Sequence, residues 1–126
     1  MHVCVRDSFP AAHRIRIAAR GEREPVHVHH WRVELCFRAE PGDDALAARA
    51  LAELRAWSER HRGRSLNDIS PYDEINPTAE EAARQVATAV GGRLGLEVLR
   101  VTVGEAAGFS ATYWPNTESA ETNASR

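Results

Sequence analysis

From Val26 to Arg38 the side chains sort into two faces at a period of two. His27, His29, Trp31, Val33 and Leu35 lie on one face, and Val28, His30, Arg32, Glu34 and Cys36 on the other. A helix cannot satisfy that alternation, so the segment is a strand whose first face needs a core to cover Trp31, Val33 and Leu35. The same face begins with two imidazoles side by side, at the point where the apolar run gives out. A third histidine from a neighbouring strand would complete a platform of three nitrogens, and His13, in Phe9-Pro10-Ala11-Ala12-His13, is placed to supply it. Zinc held by three histidines keeps a fourth position for water or substrate, which separates catalytic from structural zinc.

The rest of the chain supplies partners for that strand. Residues 2–9 alternate and predict a first strand, followed by a loop from Arg14 to Pro25 rich in Arg, Glu and Gly. Pro41-Gly42-Asp43-Asp44 predicts a turn and a helix cap. Ala47, Ala50, Leu51, Leu54 and Trp57 then recur at helical spacing until about Arg62-Gly63. Thr78 with Glu81 three residues on is a capping box, opening a second helix that carries Ala82, Val86 and Val90 inward as far as Gly91-Gly92. Leu99, Val101 and Val103 alternate on a third strand, and Glu105 is the next residue on their face. A solvent-exposed strand end accounts for that glutamate as well as a ligand does. Phe109 to Trp114 is the fourth strand. The order ββααββ predicts an α+β fold, a four-stranded antiparallel sheet with two helices on one face. Residues 1–115 form one domain and 116–126 a polar tail with few anchors.

Composition excludes more than it assigns. At 126 residues the chain can bury a core without a disulfide framework, and a net charge of −2 gives no electrostatic case for nucleic acid. All sixteen basic residues are arginine, which codon bias explains without function. Cys4 and Cys36 lack metal-ligand or CxxC spacing and read as two small buried thiols, and with no export segment this places the protein in the cytoplasm. No apolar run is long enough to span a membrane.

Four separated signatures stand in one order: Phe9-Pro10-Ala11-Ala12-His13; His27-Val28-His29; Leu66-Asn67-Asp68-Ile69 with Asn76-Pro77-Thr78-Ala79-Glu80; and Glu105 on its strand. Together they resemble the 6-pyruvoyl tetrahydropterin synthase and 6-carboxytetrahydropterin synthase family over roughly residues 3–114. The resemblance implies a tunnelling fold whose subunits join edge to edge into a β-barrel, a homohexamer of two stacked trimers with sites between subunits. It implies zinc on His13, His27 and His29, a pterin anchored by Glu105, and Thr78 and Glu80 in the pterin-site segment. The implied activity is that of a zinc-dependent lyase acting on the side chain of a dihydropterin such as dihydroneopterin triphosphate. For Thr78, a plain helix N-cap is an equal alternative.

The chain departs from the family where protons are moved. Typical members carry a cysteine four residues before the HxH pair, and here Arg23 stands there. The Asp-His that precedes Leu-Asn in the family is replaced by Glu59-Arg60-His61-Arg62-Gly63-Arg64-Ser65, and a Gly-containing segment with Asp-Phe before the first helix is shortened to Pro41-Gly42-Asp43-Asp44. Glu24 or its neighbour Glu22, and His61, are the candidate replacements for the base, although a charged loop is also a solvated one. The readings are therefore a synthase-like pterin enzyme whose outcome is altered, toward side-chain cleavage or slow formation of the carboxy product, a weak or inactive homologue that binds zinc and a pterin or purine, and a scaffold in which the three histidines are structural.

Overall fold

The computed structural model describes residues 1–17, 22–23, 26–106 and 108–115. Its elements are β1 (His2–His13), β2 (Arg16–Ile17), β3 (Glu22–Arg23), β4 (His27–Arg38), α1 (Asp44–Glu59), α2 (Ala79–Val86), β5 (Val98–Ala106) and β6 (Phe109–Tyr113). The main sheet is antiparallel in the order β1-β4-β5-β6, and β2 pairs with β3 as a separate two-residue ribbon. The predicted four strands and two helices are thus present, with the small ribbon added inside the loop after His13.

Odd-numbered residues of β1 and β4 build the core. Val5, Phe9, Ala11, Trp31, Val33, Leu35 and Phe37 are buried with Val101 and Val103 of β5. Against this face pack Ala50, Leu54 and Trp57 of α1 and Ala79, Ala82, Ala83 and Val86 of α2, so both helices lie on one side of the sheet. Asp43 caps α1 by accepting from Leu46 N at 3.1 Å.

Two boundaries differ from the expectation, each for a local reason. β1 continues past Phe9 to His13, through Pro10, because β1 is an edge strand and can place a residue without an N–H there. The loop after α1 meets that edge instead: Gly63 N donates to Pro10 O at 2.7 Å and Ala12 N to Arg64 O at 2.9 Å. The second helical run does not stop at Gly91-Gly92. It passes through a wider turn over Ala87–Gly91 and a last turn over Gly92–Leu94, and ends at Gly95 in the left-handed region at φ 64°. Gly91 serves close packing, since a Cβ there would collide with the Val98 side chain.

The two cysteines also differ from expectation. Cys4 and Cys36 face each other in the β1–β4 register and are joined as a disulfide. Their sequence separation of 32 hid the register that makes them neighbours. The expectation of a reducing compartment rests on two free thiols and the lack of an export segment, and the disulfide removes the first of these grounds. Among the described residues, no helix is long and apolar enough to cross a membrane.

Candidate metal and pterin site

The site forms where the buried face of the sheet reaches its rim. Antiparallel pairing sets His13 opposite His27 and Ala11 opposite His29, so the three histidines emerge on one face from two adjacent strands. Ring centroids are 5.1 Å apart for His13–His29, 5.9 Å for His27–His29 and 6.5 Å for His13–His27. Burial falls outward, from His13 at 3% exposure through half-buried His29 to exposed His27.

His13 is held from three sides. Its Nδ1 lies 2.8 Å from Pro77 O; a carbonyl can only accept, so Nδ1 carries the proton and Nε2 presents its lone pair to the site. Trp31 meets the ring edge-on at 5.0 Å and anchors its own Nε1–H on Ala11 O at 3.2 Å. Behind them Asn67 closes a two-bond clamp on the next residue, accepting from Arg14 N at 2.8 Å and donating to Arg14 O at 2.9 Å. Leu66-Asn67 and Asn76-Pro77 were visible as signatures, but their jobs, a backbone clamp and a carbonyl acceptor, leave no mark in side-chain chemistry.

Glu105 joins the site from β5. The β5–β6 register shifts between Gly104 and Ala106, leaving Glu105 at a bulge, the kind of irregularity that re-aims a side chain beside a functional site. Its Oε2 stands 3.8 Å from His13 Nε2 and is buried without a hydrogen-bond partner. An unsatisfied buried acceptor costs about 1–3 kcal/mol, which a cation or a ligand bringing N–H donors would relieve.

Three imidazole nitrogens are a donor set that zinc accepts, but among the described residues they do not all lie within 4.8 Å of one another as the donor atoms of Cys4, Glu34 and Cys36 do. Imidazoles bonded to one tetrahedral zinc have ring centres about 5 Å apart. The His13–His29 pair has that spacing, and His27, exposed and farthest from His13, has the longest distance to close. Orientation of His13 by a backbone carbonyl is the arrangement that fixes the tautomer of a metal-ligating histidine.

The other predicted residues are placed differently. Thr78 caps α2, its Oγ1 accepting from Glu81 N at 3.1 Å. The capping box is half made: Glu81 turns to Gln85 at 2.9 Å, and Thr78 N donates instead to Asn76 O at 2.9 Å. Glu80 is exposed on the first turn of α2, where a carboxylate suits the helix dipole. His61 is buried beside Trp57 at 4.1 Å, Phe9 at 5.8 Å and Tyr72 at 6.1 Å, with Nδ1 2.6 Å from Trp57 O. Burial, with Arg60 and Arg64 nearby, pushes its pKa below the usual histidine value. Its ring contacts Phe9, four residues before His13 on β1. Glu24 lies outside the described residues. Glu22 and Arg23 form β3, paired with Ile17 and Arg16.

A family model described as 6-pyruvoyl tetrahydropterin synthase matches residues 2–116. Among solved structures, the chain is similar to Caenorhabditis elegans 6-pyruvoyl tetrahydropterin synthase, with 19% identity, TM-score 0.76, and 90% of this chain and 94% of that one covered. It is also similar to a Plasmodium vivax 6-pyruvoyltetrahydropterin synthase substituted at a catalytic glutamate, with 17% identity, TM-score 0.68, and coverage of 90% and 96%. The Plasmodium falciparum enzyme follows at 15% identity and TM-score 0.63, with coverage of 90% and 96%. No curated protein matches the chain.

Proposed function

Because the chain belongs to the 6-pyruvoyl tetrahydropterin synthase family, we propose that it is a zinc-dependent lyase acting on the side chain of a dihydropterin such as dihydroneopterin triphosphate, with a side-chain-cleaving outcome. The observation that carries this reading is the convergence of His13, His27, His29 and the unsatisfied Glu105 oxygen at one rim of the sheet. The three histidines would hold the metal, which when bound supplies Lewis acidity toward side-chain oxygens.

The protein's own residues do the remainder. Glu105 accepts hydrogen bonds from the paired N–H donors of the pterin ring, a geometry in which a carboxylate is held at two points. Pro77 O and Trp31 keep His13 from turning while that happens. A base must still take a proton. Of the two candidates we place Glu24, with its neighbour Glu22, ahead of His61. The short ribbon that includes Glu22 immediately precedes the His27 strand, and a glutamate is the substituted catalytic residue in the Plasmodium vivax relative. His61, by contrast, is committed to Trp57 O inside an aromatic cluster.

A carboxylate base suits retro-aldol cleavage. It removes the proton of the hydroxyl on the second side-chain carbon, that C–O becomes a carbonyl, and the bond to the first carbon breaks. The released electron pair is delocalised into the conjugated pterin and a proton is then added at the first side-chain carbon, leaving a hydroxymethyl pterin and a small aldehyde. Thr78 and Glu80, at the N-terminus of α2 beside Pro77, would border the pterin. Assembly into a hexamer of two trimers, with sites completed between subunits, and a cytoplasmic location belong to the same reading. Titrating dihydroneopterin into the zinc-loaded protein tests it: binding is expected in the parent and lost on Glu105→Ala, whereas equal binding by both would remove Glu105 from the site. A specific observation favours a second reading. Arg23 stands where the family's cysteine would be, so a homologue that binds zinc and a pterin or purine without turnover would show the same binding and form no product.

A further inference from the structure

We propose that Cys4, Cys36 and Glu34 form a second metal site, separate from the three histidines, that takes a thiophilic divalent cation such as zinc once the disulfide is reduced. The histidine set arises from a simple register rule: two residues two apart on β4, and one on β1 opposite whichever of them lies nearer the end of the strand. The same rule recurs at the other end of the same two strands and on the opposite face. Glu34 and Cys36 are two apart on β4, and Cys4 lies opposite Cys36. Their donor atoms all lie within 4.8 Å of one another, and Cys36 Sγ is 3.6 Å from Glu34 Oε1. The cluster is reachable from the side of Cys4 and Glu34, both half-buried, beside the 70% exposed side chain of Arg6, while Cys36 is buried beneath them.

The chemistry is gated by the sulfur–sulfur bond. In the oxidised chain neither sulfur is an anionic donor. A dithiol breaks the bond by giving two electrons and two protons and is itself oxidised to a disulfide; a phosphine gives the two electrons, while water supplies the two protons and the oxygen of the phosphine oxide. Metal binding then displaces the two thiol protons. Two thiolates and a carboxylate are a donor set that zinc accepts, with the fourth position left for water. Glu34 is already oriented for this. Arg6 Nε holds its Oε2 at 2.6 Å and Arg100 Nη1 its Oε1 at 2.7 Å. A metal would displace Arg100 from Oε1, while Arg6 would remain on the other oxygen and hold the carboxylate in place, as outer partners of metal ligands do. The two guanidiniums also offset the negative charge that the thiolates add.

The test is a cobalt titration of desalted protein before and after phosphine reduction, followed by absorbance and circular dichroism. The expected result is a thiolate-to-cobalt charge-transfer band in the reduced protein, saturating at one cobalt per chain and missing from the oxidised protein. Histidine-bound cobalt gives no such band, so the outcome is independent of the pterin site. The band should disappear in the Cys4→Ser, Cys36→Ser double variant, and Glu34→Gln should weaken cobalt binding about tenfold. Reduced protein that keeps its fold and shows no sulfur band, or reduced protein that unfolds, would overturn the proposal. The comparison of oxidised with reduced parent decides the matter even if the double variant does not fold.

Discussion

His13 and His61 are both buried histidines whose Nδ1 meets a backbone carbonyl, and their surroundings give them opposite uses. The free nitrogen of His13 faces Glu105 at the rim of the sheet, whereas His61 is enclosed by Trp57, Phe9 and Tyr72. His61 therefore enters the stability of the fold through pH. Its folded pKa is depressed by burial, so between that value and the ordinary histidine range the unfolded chain binds a proton that the folded chain does not. Stability should fall as pH drops through this window and be unaffected by His61 above it. His61→Asn, which can keep a donor for Trp57 O, should remove that part of the slope in urea unfolding measured between neutral and mildly acidic pH; an identical slope would contradict the assignment. Glu34 has the same sign lower on the scale. The hydrogen bond from Arg100, then that from Arg6, outweighs burial and depresses its pKa, so its contribution is present at neutral pH and lost as acid carries the chain below the ordinary carboxylate range. Glu34→Gln should flatten the acid limb of the stability curve.

At the scale of elements, the site depends on the loop between α1 and α2 as much as on the strands. Asn67 ties Arg14 with two hydrogen bonds, and Pro77 O accepts a hydrogen bond from His13 Nδ1. Asn67→Ala should cost about 1–3 kcal/mol in equilibrium unfolding, because it leaves two partly buried backbone groups unpaired. Competition with a chelator should also show weaker zinc binding, by about tenfold, as for loss of an outer partner. Unchanged metal affinity would confine the clamp to stability. Thr78→Ala should cost about 1 kcal/mol through the lost N-cap. The alternation 26–38 and the helical spacing of Ala50, Leu54 and Trp57 were legible in the sequence because period alone assigns them. What was not legible depended on contacts across the sheet. These are the continuation of β1 through Pro10, which an edge position permits, the close approach of Gly91 to Val98, and the bulge at Glu105. The disulfide belongs with them, since only the register of β1 against β4 brings Cys4 to Cys36.

For the whole molecule, the sheet has two edges, β1 and β6. The loop after α1 covers the far end of β1, and Phe109 and Trp114, at 59% and 49% exposure, flank β6. Exposed edges and large apolar side chains invite pairing with further copies. Light scattering of the purified chain should give a mass that is a multiple of three subunits, and a monomer at micromolar concentration would contradict the proposed barrel. On the proposed reading, three histidines and Glu105 still process a dihydropterin although Arg23 stands where the family's cysteine would be. The direct measurement is chromatography with mass detection of dihydroneopterin and its triphosphate after incubation with zinc-loaded protein, alongside His27→Ala protein. A shortened pterin formed by the parent, abolished by chelation and by His27→Ala, is the predicted result. Unchanged substrate after prolonged incubation with metal-replete, folded parent protein would contradict it.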